Sequence, residues 1–138
     1  MIQPQELRIG DYVDVFDKID EIKSINENEH GGFCKFKNNP YQYYLSHDGD
    51  ALIKPIPLTE EILLKFGFIR NQIKTISEVI DVSGNDKLLE FEVTEMGLDL
   101  WISSDKIDEA LYFPVNYIKY AHNLQNLFFS LCGEELSF

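Results

Sequence analysis

The last stretch of the sequence, residues 114–138, decides the fold and reads PVNYIKYAHNLQNLFFSLCGEELSF. When its side chains are spaced by about 100°, as in an α-helix, one broad face is apolar. The residues of this face are Tyr117, Tyr120, Ala121, Leu124, Leu127, Phe128, Leu131 and Cys132, with Ile118 and Phe129 at its edge. Because the apolar arc covers well over half of the circumference, we predict a long amphipathic helix that lies in a groove or is covered by another element or subunit. The same face allows a homodimer.

The opposite side of this helix carries His122, Asn123 and Asn126, with Gln125 near its border. These side chains can line a cleft that binds a ligand, and His122 and Asn126 are then the binding candidates. Alternatively, they form a helix edge whose amides bond to neighbouring backbone or to water. An acid–base role for His122 requires a positioned partner, and the sequence identifies none.

Short strands are predicted before residue 58, because polar and apolar residues alternate there with a period of two. The strands cover residues 12–16, 33–37, 41–45 and 51–53, with a turn at Asp17-Lys18 and a polar loop over 26–32. In the second strand Cys34 and Phe36 face one side, whereas Lys35 and Lys37 face the other. This density of strands is typical of a small SH3-like barrel.

A short capped helix is predicted after the barrel. Thr59 is a good N-cap, and the two glutamates that follow it complement the positive end of a helix. Gly67 provides a left-handed stop, after which Phe68 can fold back on Leu63. Two turns do not form a stable helix alone, so packing must hold this element in place.

The second half of the chain predicts an antiparallel meander of three strands over residues 76–82, 89–93 and 98–102, with a last short strand at 111–113. The fold class is therefore α+β: an N-terminal SH3-like small β-barrel, a short capped helix, an antiparallel meander and a long amphipathic C-terminal helix. We predict one compact domain over residues 1–138, with the barrel in 1–58 and the helix–meander–helix part in 59–138.

The net charge of −12, with 24 acidic and 12 basic residues, limits the classes of partner. The sequence has no basic block, so nonspecific binding of nucleic acid through its phosphates is not expected. An acidic surface fits a soluble protein, a basic protein partner or a mimic of nucleic acid. No apolar run is long enough to span a membrane and no signal peptide is recognisable, so a cytoplasmic location is expected.

Three motifs carry a resemblance to a known family: LRIGDYV at residues 7–13, PIPLTEEILLKFGF at 55–68 and YAHNLQNLFFSLCGEEL at 120–136. With them the chain resembles a family of small uncharacterised proteins found in Bacteroidetes genomes and their phages or prophages. The family usually has Asn where Asp11 stands, Trp where Ile62 stands and Gln where Asn123 stands. The resemblance implies a bacterial or phage-encoded cytoplasmic protein, and it assigns no activity, ligand or catalytic residue.

Two groups of aromatic residues are candidates for binding. Tyr44, together with Lys35 and Lys37, has the chemistry to stack on bases or on a proline-rich peptide, although core packing explains neighbouring tyrosines equally well. Tyr44 is the surface candidate, since Tyr41, Tyr43 and Leu45 share the other side of that strand. Trp101 points away from the apolar face of its strand, which indicates either a protein interface or cover from a neighbouring loop.

The sequence provides no signature of a metal, a cofactor or an enzyme. His30, His47 and His122 lack zinc-ligand spacing, and residues 47–50 lack the later ligands of a calcium loop. Cys34 and Cys132 are interpreted as lone thiols. No nucleophile elbow, phosphate-binding loop or dinucleotide fingerprint occurs. We therefore expect no metal, no cofactor and no enzymatic activity.

Three functions compete on this evidence. The first is an accessory binding module of mobile-element origin that acts through protein–protein contacts. The second is an acidic inhibitor, or nucleic-acid mimic, of a host DNA-binding protein. The third is a small-ligand binder or hydrolase with a pocket beside His122.

Overall fold

The computed structural model describes residues 6–29, 31–44, 53–72, 75–82, 85–94, 97–104, 107–113 and 118–138. Within these ranges the chain forms two antiparallel sheets of five strands each and two helices, so the mixed α and β character is confirmed. The chain divides into two compact units. The first unit comprises Met1–Pro57 and Tyr120–Asn126, and the second comprises Leu58–Lys119 and Leu127–Phe138.

The first sheet is built from the strands of the first unit. They are β1 (Tyr12–Val15), β2 (Lys18–Asn28), β3 (Gly31–Phe36), β4 (Gln42–Tyr44) and β5 (Ile53–Lys54). Their order is β4-β3-β2-β1-β5, and all the pairs are antiparallel. Over the described strands β4 and β5 are the two edges, so this sheet is not closed into a barrel. The SH3-like barrel remains a prediction.

One face of this sheet forms the core of the first unit. The buried residues that cluster there are Leu7, Val13, Val15, Ile22, Cys34, Phe36 and Ile53. Along β3 the predicted alternation is confirmed, because Cys34 and Phe36 are buried whereas Lys35 and Lys37 are exposed. Burial of each large aliphatic or aromatic side chain contributes about 1.5–3 kcal/mol, which fixes this face toward the interior.

The β2–β3 connection is tighter than predicted. The expected loop over residues 26–32 is wrong, since Asn26 pairs with Phe33 and Asn28 pairs with Gly31. Backbone pairing carries the strand through this polar segment, and Asn26 and Glu27 keep their side chains in solvent. Gly31 adopts φ 111°, a conformation that other residues rarely adopt.

The β1–β2 hairpin turns at Phe16 and Asp17, one residue earlier than predicted. Val15 pairs with Lys18, and the two residues between them have φ values of 54° and 60°. Positive φ at both central positions is the geometry that matches the twist of a two-residue hairpin. The exposed ring of Phe16 packs edge-on against Tyr43, with ring centroids 5.2 Å apart.

Helix α1 (Glu60–Lys65) has the caps that the sequence predicts. The Ile62 N–H donates to Oγ1 of Thr59 at 3.3 Å. Gly67 has φ 91°, and the Phe68 N–H donates to the Leu63 carbonyl at 3.1 Å. These bonds satisfy backbone groups at both helix ends that otherwise lack partners.

The second sheet contains the predicted meander at its centre. Its strands are β6 (Ile69–Gln72), β7 (Thr75–Val82), β8 (Asn85–Thr94), β9 (Gly97–Ser104) and β10 (Ile107–Phe113), in the order β10-β9-β8-β7-β6. The meander β7–β8–β9 is confirmed, and β10 is longer than the predicted strand at 111–113. Strand β6 was not predicted, because it is mostly polar and its Ile69 is exposed.

The buried face of the second sheet follows the predicted alternation. Its buried residues are Ile76, Leu89, Phe91, Leu98, Leu100 and Ile102. Phe68, just after α1, packs edge-on against Phe91 with ring centroids 5.7 Å apart. On the other face Glu92 is exposed, and Trp101 is half-buried.

The C-terminal helix α2 (Ala121–Cys132) begins later than the predicted start near residue 114. The residues before it are extended, because Tyr120 forms a bridge with Pro57 and the Ala121 N–H donates to the Ile56 carbonyl at 2.9 Å. Residues 114–117 lie outside the described part. Along the predicted apolar face Leu124 and Phe128 are buried, Leu127 and Leu131 are half-buried, and Phe129 at its edge is exposed, so this face is only partly covered.

Candidate functional site

A depression of about 360 Å³ on the first sheet is lined by Lys23 and by residues 35–40. We call it the lysine depression, because Lys23, Lys35 and Lys37 all contribute to it. Ile22 pairs with Phe36 and Ser24 pairs with Lys35, so Lys23 is an additional residue in β2, a β-bulge. With this additional residue Lys23 lines the same depression as Lys35 of β3 and Lys37 just after it, and all three side chains are exposed.

The positive charge of the depression is only partly compensated. Nζ of Lys37 lies 3.4 Å from Oε2 of Glu21, whereas Lys23 and Lys35 form no ion pair with any described residue. An exposed pair such as Lys37–Glu21 stabilises by less than about 1 kcal/mol and is screened by salt. The depression is therefore a local positive site on a chain whose net charge is −12.

The loop at the rim of the depression is held by a buried carboxylate. Oδ1 of Asp20 accepts from the Glu21 N–H at 2.8 Å, from the Asn38 N–H at 3.1 Å and from Nδ2 of Asn38 at 3.2 Å. Further along, Oδ1 of Asn39 accepts from the Tyr41 N–H at 3.0 Å, and Nδ2 of Asn39 donates to the Tyr43 hydroxyl at 3.2 Å. These bonds fix the loop that follows Lys37.

An aromatic pair lies on the same face of the sheet as Lys35. Phe33 precedes Lys35 by two residues and pairs across the ladder with Tyr44, so all three share one face. The ring centroids of Phe33 and Tyr44 are 5.6 Å apart, and Tyr44 is 41% exposed. The surface position predicted for Tyr44 is confirmed.

Tyr41 does not take its predicted position on the inner side of the strand. It precedes β4 and is 68% exposed, whereas Tyr43 is half-buried and packs against the first core. Leu45 lies outside the described part. Lys35 and Lys37 line the depression together, whereas Tyr44 lies on the same face of the sheet as Lys35 and is not among the lining residues. The structure adds Lys23, which alternation alone does not reveal because a bulge displaces it.

The polar flank of α2 bonds to backbone, in agreement with the second interpretation of its amides. Gln125 is buried, donates from Nε2 to the Gly10 carbonyl at 2.9 Å and accepts at Oε1 from the Tyr12 N–H at 2.8 Å. Nδ2 of Asn126 donates to the Glu6 carbonyl at 2.8 Å. Oδ1 of Asn123 accepts from the Tyr120 N–H at 3.1 Å, which caps the start of the helix.

His122 is buried, and its expected place on an open polar side is wrong. Only 1% of its surface is exposed, and its ring stacks on Tyr120 with centroids 5.7 Å apart. Neither ring nitrogen has a hydrogen-bond partner among the described residues. Burial lowers the pKa of His122 below its ordinary value of 6.5, and the nearby charge of Glu6 opposes this shift. His122 and Asn126 belong to a packed contact and do not line the lysine depression.

Trp101 belongs to β9 in the second unit and is not among the residues that line the lysine depression. It is half-buried and pairs in the ladder with Glu90 on one side and Tyr112 on the other. Its predicted position opposite Leu100 and Ile102 is confirmed, since both of these are buried.

The described part contains no group of three or more His, Cys, Asp or Glu residues placed to hold a metal ion. Residues 30 and 47–50 lie outside the described ranges. Among the described helices, none combines the length and the apolar content needed to cross a membrane. Cys34 and Cys132 are free thiols.

Comparisons with known proteins add no relative: no protein-family model, no curated protein and no solved structure matches this chain. The chemistry of the lysine depression must therefore be read from its residues. Its lining offers three ammonium groups, two amides, a proline and a phenylalanine, which are suited to holding an anionic group.

Proposed function

We propose that this protein is a non-enzymatic binding module that holds an anionic segment of a partner protein on the outer face of β2, β3 and β4. The observation that carries this proposal is the grouping of Lys23, Lys35 and Lys37 around one depression of a chain with net charge −12. A cluster of positive charges on the surface of an otherwise acidic protein directs a negatively charged group to that one place.

The aromatic pair supplies the second part of the contact. Each exposed lysine contributes less than about 1 kcal/mol in an ion pair, so three lysines alone give weak binding. Phe33 and Tyr44 offer apolar area beside Lys35 on which a flanking residue of the partner can pack. The lysines then determine which segment binds, and the aromatic pair increases its affinity.

The architecture proposed for the first unit is an SH3-like small barrel. The strand order β4-β3-β2-β1-β5 and the long, bulged β2 support it, because a bulge bends a strand and lets it belong to two halves of a small barrel. The motif resemblance supports a cytoplasmic protein of bacterial or mobile-element origin.

The proposal is tested by NMR titration of the full chain with a short acetylated oligoglutamate peptide and a matching oligoglutamine peptide. We expect oligoglutamate to shift the amide signals of residues 23 and 35–39, and oligoglutamine to leave them unchanged. The double variant Lys23→Gln/Lys35→Gln should lose the shifts. A matched control, Lys18→Gln/Lys54→Gln, removes the same charge from exposed positions of the same sheet and should keep them.

Equal shifts in both double variants would show that the depression does not determine binding. Absence of any oligoglutamate shift at physiological salt would count against a partner segment that carries only carboxylates. To identify the partner, proteins captured from a bacterial lysate by the wild type are compared with those captured by the two double variants. Only a protein lost with Lys23→Gln/Lys35→Gln and kept with the control is a candidate partner.

A further inference from the structure

We infer that the group held in the lysine depression is the phosphoryl group of a phosphorylated side chain on the partner protein. This inference rests on the proposed function and specifies the ligand of the same site.

The lining matches a compact dianion better than a carboxylate. Three lysines line the depression, and none of its lining residues in the described part of the chain carries a carboxylate. A phosphorylated residue carries about −1.5 to −2 charges near neutral pH and has three strong acceptor oxygens. Ammonium groups act as point charges that approach such oxygens from several directions, whereas a single carboxylate leaves part of the positive charge unmatched.

The nearby carboxylates indicate how the phosphoryl group would be accommodated. The Asp20 carboxylate is turned inward, where Oδ1 accepts from Asn38 and from the Glu21 N–H. Glu21 contacts Lys37 from the exposed side and already provides one carboxylate at 3.4 Å. A ligand with a single carboxylate would replace the Glu21 carboxylate beside Lys37 without adding negative charge to the depression. A dianion would replace it and bring a second negative charge.

The size and surroundings of the depression fit a phosphorylated side chain together with its neighbours. A volume of about 360 Å³ is larger than a phosphoryl group alone requires. Pro40 and Phe36 contribute apolar lining, and the exposed Tyr44 lies on the face occupied by Lys35. The residues that flank the phosphorylated side chain can therefore pack beside it.

The net charge of the chain favours a phosphoprotein over a nucleic acid. DNA presents one charge for about every 1.7 Å of its length, and only the few phosphates within reach of three lysines would be compensated. The remaining phosphates would face a chain whose net charge is −12. A single phosphorylated residue confines its charge to the depression, within the screening distance of about 8 Å at physiological salt.

The test is an NMR titration of the full chain with O-phospho-L-tyrosine, O-phospho-L-serine, inorganic phosphate and L-glutamate. We expect both phosphoamino acids to shift the amides of residues 23 and 35–39 and to bind at least about tenfold more tightly than glutamate. Their affinity should rise severalfold between about pH 5.5 and 7.5, because the second phosphate proton dissociates near pH 6. Glutamate binding should stay constant over this range, since its side-chain pKa is about 4.3.

Three variants localise the effect. Lys23→Gln/Lys35→Gln should lose phosphoamino-acid binding, and Lys18→Gln/Lys54→Gln should retain it. Glu21→Gln removes the competing carboxylate beside Lys37, so it should bind about two- to fivefold more tightly. Unchanged signals outside the depression would show that each variant is folded.

The other outcomes overturn the inference in distinguishable ways. If oligoglutamate shifts the same amides but the phosphoamino acids bind no more tightly than glutamate, the ligand class is wrong and the proposed function stands. If inorganic phosphate binds as tightly as the phosphoamino acids, the site takes free phosphate. Tighter binding of a short DNA or RNA oligonucleotide at the same amides would show that the ligand is a nucleic acid and not a phosphoprotein. If none of these probes and no oligoglutamate binds, the proposed function fails as well.

Discussion

Gln125 in α2 donates from Nε2 to the carbonyl oxygen of Gly10 at 2.9 Å, and the same side chain accepts at Oε1 from the Tyr12 N–H. Both ends of a buried amide are thereby satisfied by backbone groups on either side of Asp11. This contact joins two segments that are far apart in the sequence, residues 7–13 and 120–136. Gln125 therefore has a structural role, since it holds the start of β1 against α2.

Loss of the Gln125 amide should destabilise the first unit. Gln125→Leu leaves the Gly10 carbonyl and the Tyr12 N–H without this partner, and each buried unsatisfied group costs about 1–3 kcal/mol. We expect the free energy of unfolding, measured in urea, to fall by about 2–4 kcal/mol. Gln42 is exposed, so Gln42→Leu serves as the control and should change the free energy of unfolding by less than about 0.5 kcal/mol. Equal effects of the two substitutions would contradict this account.

Protonation of His122 should destabilise the protein in acid. Burial lowers the pKa of the folded state below the ordinary value of 6.5, so the unfolded chain binds the proton first. The contribution of His122 to stability is therefore complete above the unfolded pKa and is lost as the pH falls through about 6.5. The loss is at most about 1.4 kcal/mol per pH unit.

Urea unfolding at about pH 7.5 and 5.5 measures this effect, with His122→Phe as the comparison. The wild type should lose stability between the two pH values, and the variant should lose less, because its ring cannot be protonated. Glu6→Gln removes the charge that raises the pKa of His122 and should enlarge the loss. An identical pH dependence in the wild type and His122→Phe would refute the assignment.

The stability cost of replacing Gly67, which ends α1, should come from its backbone conformation alone. Gly67 has φ 91°, and a Cβ there would meet open space. Gly67→Ala should therefore cost about 1–2 kcal/mol through the left-handed conformation, without any steric clash. Gly67→Asn should cost less, because Asn adopts this region more readily. Thermal unfolding of the two variants provides the comparison, and an alanine variant as stable as the wild type would exclude the explanation.

The two thiols should differ in reactivity. Cys34 is fully buried, and burial raises the pKa of its thiol to about 11, so the reactive thiolate is scarce at neutral pH. Cys132 is half-buried at the end of α2 and donates from Sγ to the Phe128 carbonyl at 3.2 Å. Iodoacetamide at about pH 8 should therefore label Cys132 faster than Cys34. Peptide mass spectrometry reads the ratio, and denaturant should make the two rates similar.

The parts of the fold that depend on contacts between residues close together in the sequence were predictable from the sequence. Thr59 and Gly67 define α1 through contacts within a few residues, and alternation places Lys35 and Tyr44 on the surface. The start of α2 was not predictable in this way. Its preceding residues pair with the segment around Pro57, more than sixty residues earlier in the chain.

The same limit applies to the polar residues of α2 and to the candidate site. His122 and Gln125 look solvent-facing by helical periodicity, but residues 6–12 bond to this flank and the two side chains are buried. Lys23 was missed because a bulge is a property of the paired strands and has no signal in one strand alone. Long-range backbone pairing therefore accounts for most of the differences between prediction and structure.

The additional residue in β2 also determines which side chains reach the interior. Ile22 is buried and Ile25 packs against the same cluster, although an odd separation in a regular strand directs two side chains to opposite faces. The additional residue between them, Lys23, shifts the alternation of β2 by one position, so both isoleucines face the interior. Deleting Lys23 would restore regular pairing and would keep both isoleucines on the inner face, because their separation would then be two residues. The additional residue therefore serves the outer face, where it places a third lysine at the depression lined by Lys35 and Lys37.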